Sequence, residues 1–146
     1  MMKTGCPPGH HMRKDGKCYK TYYHVTTKEK LSSIKKKGLR VNNKKNVPLS
    51  RRVNYVMGDY FHAGQFASQM RYNGAETLVL HLDLDEKKLI QDTNPKAIKD
   101  VWLEHHGDIQ PGRIIKTEKW TREKVNENGR KLDELCRKGK KETMYL

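Results

Sequence analysis

His24 stands where chemistry is easy to arrange. Tyr22-Tyr23-His24-Val25-Thr26 reads as a short strand of aromatic and β-branched residues. Directly after it, Thr26-x-x-Glu29 reads as a capping box that opens a helix over 28–37. A strand-to-helix junction presents side chains and free amides to a ligand, and anions are favoured at a helix N-terminus. An imidazole there serves either as an ordinary hydrogen-bonding residue or as a ligand contact, and its charge changes near neutral pH.

Cys6, His10, His11, Cys18 and His24 form a second group. Zinc takes thiolate and neutral imidazole, and four such groups can converge in a short loop. The spacing is Cys-x11-Cys without a C-x2-C pair, which matches no known ligand pattern, so no metal is assigned. A disulfide between Cys6 and Cys18 would close a short loop, and separate thiols on a tail are equally compatible with the spacing. Cys136, at helical spacing from Leu132, reads as a small core residue.

The charge of the chain is uneven. Its 146 residues carry a net charge of +14 with 34% hydrophobic content, which suits one polar domain with a modest core. Residues 1–52 hold 15 Lys/Arg against 2 acids, residues 53–120 hold 8 against 10, and residues 121–146 hold 8 against 5. The basicity therefore belongs to the N-terminal third. It either solvates a polar surface or attracts phosphate-rich or acidic partners. No apolar run approaches the ~20 residues of a membrane helix, and the start of the chain lacks an apolar leader. The reading is a protein without a membrane span, cytoplasmic in setting.

The elements follow from periodicity and punctuation. Residues 1–20 read as a flexible tail containing cysteine and histidine, with turn signals at Pro7-Pro8-Gly9 and Asp15-Gly16. Residues 21–120 read as the compact domain, and 121–146 as a basic C-terminal helix packing on it. Gly38 fits a left-handed helix C-cap. Asn54–Met57 suggests a strand, and Asp59 is a suitable N-cap for a helix over 60–71 with Ala63, Phe66, Ala67 and Met70 on one stripe. Leu78, Leu80, Leu82 and Leu84 alternate with Val79, His81 and Asp83, the clearest strand in the chain. A helical turn is expected over 86–90, strands over 101–103 and 113–119, and a helix over 121–138 with Val125, Leu132, Leu135 and Cys136 inward. The sum is a mixed α+β domain.

The order of these pieces resembles the ADP-ribosyltransferase-like superfamily. Tyr23-His24-Val25-Thr26, Leu31-Ser-Ser-Ile34 and Gly38-Leu39 look like its opening strand, helix and helix end. Ala63-x-x-Phe66-Ala67 is similar to its Ala-x-x-Phe-Ala helix, and Leu78 to Asp85 to its apolar strand ending in an acid. Gly107-Asp108-Ile109-Gln110-Pro111 resembles the Gly-x-Ile-Pro-Pro turn of the RNA 2′-phosphotransferase branch. The resemblance spans residues 22–119 and implies a split β-sheet with flanking helices and NAD in the cleft between two small sheets.

It also implies roles. His24 would hydrogen-bond the adenosine ribose, the Val25 backbone would grip the nicotinamide carboxamide, and Thr26 would support the turn. Tyr55 or Tyr60 would stack on the nicotinamide ring. A carboxylate would stabilise the oxocarbenium-like ribose and act as base on the acceptor. Glu104 is the first candidate for it, with His105 as the alternative at that position and Glu118 as a weaker second acid. Arg51 and Arg52, with Arg113, would clamp phosphate. Asn46 and Pro48 replace the histidines of the phosphotransferase segment, which argues against RNA 2′-phosphate removal.

The resulting expectation is an NAD-dependent ADP-ribosyltransferase acting on an acidic protein or nucleic-acid target. Small free-standing members of the superfamily act as bacterial toxins and phage effectors, in the latter case in the host cytoplasm. A catalytically silent basic module binding nucleic acid or a nucleotide is the alternative, and a 2′-phosphotransferase-like activity a further one.

Overall fold

The computed structural model describes residues 5–41, 53–72, 74–91 and 101–137. In these, β1 (His10–Met12) and β2 (Cys18–Lys20) form a hairpin. There follow β3 (Tyr22–Thr27), α1 (Lys28–Lys37), β4 (Val53–Met57), α2 (Tyr60–Tyr72), β5 (Thr77–Leu82), β6 (Leu89–Gln91), β7 (Trp102–His106), β8 (Ile114–Lys119) and α3 (Arg122–Arg137). The architecture is mixed α+β, with three helices and one six-stranded antiparallel sheet in the order β6-β7-β4-β3-β5-β8.

The alternation in β5 sorts the core into two layers, because successive side chains leave a strand on opposite faces. Leu80 and Leu82 pack with Tyr22, Val56, Leu84 and Ile109, beneath Ile34 of α1. Val79 packs on the other face with Tyr23, Met57 and Trp120, beneath Ala63 and Ala67 of α2. Gly64 lies where α2 meets α3: an added Cβ would stand 2.7 Å from Asn128 Nδ2 and 2.9 Å from the Trp120 ring.

The sheet consists of two three-stranded halves with little between them. β3 and β5 share six register pairs and β4 and β7 share five, whereas β3 and β4 meet at the single pair Tyr23–Met57. The cleft between two small sheets expected from the sequence thus takes the form of one sheet whose halves touch at one rung.

Several local expectations change. β3 continues through Thr27, which pairs with Thr77, so Thr27 and not Thr26 is the N-cap of α1 and no side-chain cap bond forms. Pairing with β5 holds Thr26 buried within the strand, out of reach of a capping box. Gly38 does close α1, at φ 78°, donating its N–H to Ile34 O. It also lets Leu39 bridge Ile109, since a Cβ on Gly38 would stand 2.0 Å from Ile109 O. The turn over 86–90 is a 3-10 turn at Glu86–Lys88 followed by β6. Cys136 is exposed: Asn128, Val125, Leu132 and Leu135 take the inner side of α3.

The stretch read as a tail is tied down. Cys6 and Cys18 form a disulfide, which decides among the three readings of these cysteines. His11 Nε2 and Arg13 Nε each lie 2.7 Å from Asp83 Oδ1, and His11 Nδ1 lies 2.8 Å from Thr21 Oγ1. A hairpin too short for a core of its own is held by one covalent link and one buried-edge ion cluster.

Candidate functional site

β3 ends beside the opening in the sheet. By alternation, Tyr22 and His24 face α1, and Tyr23 and Val25 face α2. Beyond Tyr23, β3 gains no further register pair from β4 among the described residues. The His24 imidazole reaches across instead, with Nδ1 2.8 Å from Tyr55 O. A carbonyl can only accept, so Nδ1 carries the hydrogen and the neutral ring keeps its lone pair on Nε2. Nε2 has no hydrogen-bond partner among the described residues. The ring is partly exposed, yet crowded by protein atoms. Desolvation holds its pKa below the ordinary histidine value, against the bond to Tyr55 O, and Lys30 adds to the lowering. At neutral pH the ring is uncharged and can accept a hydrogen bond from a hydroxyl.

Across the opening, Ile90, Glu104 and Tyr55 form one cross-strand row, paired Ile90–Glu104 and Glu104–Tyr55. Directly opposed side chains lie about 5 Å apart on the same face. Neighbouring Met57 and Trp102 are covered by α2, but the row beyond them is open: Tyr55 is 57% and Ile90 49% exposed. Glu104 is partly exposed and has no hydrogen-bond or ion-pair partner among the described residues. An unpaired carboxylate between an exposed aromatic ring and an exposed aliphatic side chain can hold a flat cation against the ring.

The structure distinguishes candidates that the sequence left level. Tyr60 sits at the start of α2 against Tyr23, His81 and Trp120, and its hydroxyl donates to both Glu118 oxygens at 2.8 and 3.1 Å. Burial first, then Glu118, raises its pKa. Tyr23 is pushed up to about 12 by burial and by the nearby Asp59 and Glu118 charges. Glu118 is itself buried and ringed by Tyr60, His81 Nε2 at 2.9 Å and Lys124. Burial would raise its pKa, but these three donors outweigh it and the net shift is downward. This is a closed network with every member engaged.

His105 faces away from Glu104, toward α1's side of the sheet. It is buried, with Nδ1 3.2 Å from Gly107 O and its pKa lowered by desolvation. Arg113 lies at Asp83, Nη1 to Oδ2 3.4 Å, beside the hairpin and not beside Glu104. Val25 lies partly buried at the opening, and Thr26 is buried in the α1 face. Arg51 and Arg52 lie outside the described residues. Sequence reasoning missed Ile90, whose exposure depends on a three-residue strand too short to show alternation. It also missed Lys30, which a helical pattern places on α1 without saying which strand residue lies beneath it.

Among the described residues no group of three or more His, Cys, Asp or Glu side chains could hold a metal ion, and no helix is long and apolar enough to cross a membrane. No protein-family model matches this chain, and no curated protein matches it.

Proposed function

We propose that this chain is an NAD-dependent ADP-ribosyltransferase of the split-sheet kind, acting on a protein or nucleic-acid target. The observation that carries the reading is the opening between β3 and β4, with His24 on one side and the Tyr55–Glu104 row on the other. NAD is consumed here as a substrate. His24 Nε2 is an acceptor suited to a ribose hydroxyl. The exposed Tyr55 ring is a stacking surface for a cationic nicotinamide, and such stacking adds about 0.5–1.5 kcal/mol beyond area burial. Nicotinamide leaves with the electron pair of its bond to the ribose carbon. Glu104 stabilises the positive charge left there and takes the proton of the acceptor that attacks that carbon.

The competing reading is a silent module that binds nucleic acid, which the lysines of α1 favour. Nicotinamide release separates the two. The parent chain, incubated with NAD, is expected to release nicotinamide, to label a component of a cell lysate and to melt at a higher temperature. A ligand at 100 times its dissociation constant stabilises by about 2.7 kcal/mol. His24→Ala is expected to lose the thermal shift, and Glu104→Gln to keep it while losing release. No release, no label and no shift from the parent chain would overturn the enzyme reading.

A further inference from the structure

We propose that the concavity between the end of α2 and the first turn of α3 seats a phosphate of a single-stranded nucleic acid, whose backbone continues over the start of α1 toward the β3–β4 opening. The concavity has a volume of about 810 Å³, and Arg71 of α2 and Arg122 of α3 line it with Val125 and Asn126. Neither arginine has an ion-pair partner among the described residues. Glu76 also lines it, but Lys28 Nζ stands 3.4 Å from that carboxylate. The Lys28 N–H donates to Glu76 O at 2.9 Å, which fixes the first turn of α1 at the rim.

The placement of the cations is informative. Lys35, Lys36 and Lys37 occupy the last turn of α1, where the helix dipole already favours positive charge, so they argue for nothing. Lys28, Lys30 and Arg122 occupy first turns, where the dipole opposes them and the fold gains nothing from their charge. A ligand phosphate would account for them. Lys30 lies close enough to His24 to lower its proton affinity, so the basic positions lead from the concavity to the opening. Two guanidinium forks suit phosphate oxygens, and Val125 offers an apolar wall to a base. A strand with one charge per nucleotide suits cations spread over three helix ends better than the irregular carboxylates of an acidic peptide. The inference rests on the transferase reading only for what the docked strand is there to do. Docking is measured without NAD, so the two can fail separately.

The test is fluorescence anisotropy of a labelled 12-nucleotide single strand with the full chain over a range of salt. Log affinity is expected to fall linearly with log salt. Arg71→Ala with Arg122→Ala is expected to weaken binding at least tenfold and to flatten the slope by about 1.4, from about 0.7 per phosphate contact. Lys17→Ala, on the hairpin, is expected to bind as the parent does. Should the double alanine variant melt early, Arg71→Gln with Arg122→Gln replaces it, with the same expectation. Absent binding at low salt, parent-like binding by a folded double variant, equal competition by polyglutamate, or tighter binding of a duplex of the same length would each overturn the proposal.

Discussion

In the β3-β5-β8 half of the sheet, Glu118 is buried and receives Tyr60, His81 and Lys124; in the β6-β7-β4 half, Glu104 has no such partners and lies between Tyr55 and Ile90. The two halves hold the same residue types, a strand glutamate beside a tyrosine, under different cover. α2 and α3 close over the first half, so a charge there must be fully paired to be tolerated. Over the second half α2 reaches only Met57 and Trp102, so water can solvate a carboxylate that the protein leaves unpaired. A group that is available for chemistry is one whose hydrogen-bonding capacity the fold has not used.

The comparison breaks most visibly at Glu118. Glu118→Ala is expected to cost about 3–5 kcal/mol, because His81, Tyr60 and Lys124 lose their shared anion. Urea unfolding measures this, and nicotinamide release per folded molecule should stay near the parent value. Reducing the Cys6–Cys18 bond, with Asp83→Asn to release the docked hairpin, is expected to cost about 3 kcal/mol on loop-entropy grounds, read as a lower midpoint in the same titration.

Glu104→Gln is expected to behave in the opposite way to Glu118→Ala. Nicotinamide release should fall about a hundredfold with stability unchanged, because only a group stabilising developing charge is lost. Equal loss of stability in the two variants would erase the distinction between the halves. Tyr55→Ala is smaller still: several-fold weaker NAD binding at constant melting temperature, as suits a ring 57% exposed.

The smallest effect is one of pH. His24 and His105 both have lowered pKa values in the folded chain. The unfolded chain therefore takes up protons first, and stability is expected to decline gently as pH falls below about 6.5. Asp59, Asp83 and Glu118 are also lowered, so their contribution is present above about 4 and is lost below it. Melting temperature against pH should show the two declines separately, and His105→Gln should remove part of the first.

Most elements were legible because they bury periodic apolar stripes. β5, α1 with its Gly38 end and α2 behind Asp59 lie where alternation, caps and the 3.6-residue repeat put them. The hairpin was not legible, since three-residue strands carry no period and its anchor, Asp83, is some 70 residues away in the chain. The capping box failed at Thr26 for a related reason: a long-range strand pairing took the residue that local pattern assigned to the helix. Cys136 misled because i, i+4 spacing fits an outer flank of α3 as well as its inner face.

For the site, residue types and order were enough to single out His24, Tyr55, Tyr60, Glu104, His105 and Glu118 as chemically capable. Spacing along the chain could not rank them. Whether an acid or a ring is consumed by the fold depends on strand register and on how far a helix reaches across the sheet. Both are set by contacts between segments distant in sequence, so only the assembled sheet separates Tyr55 and Glu104, left open, from Tyr60 and Glu118, already engaged.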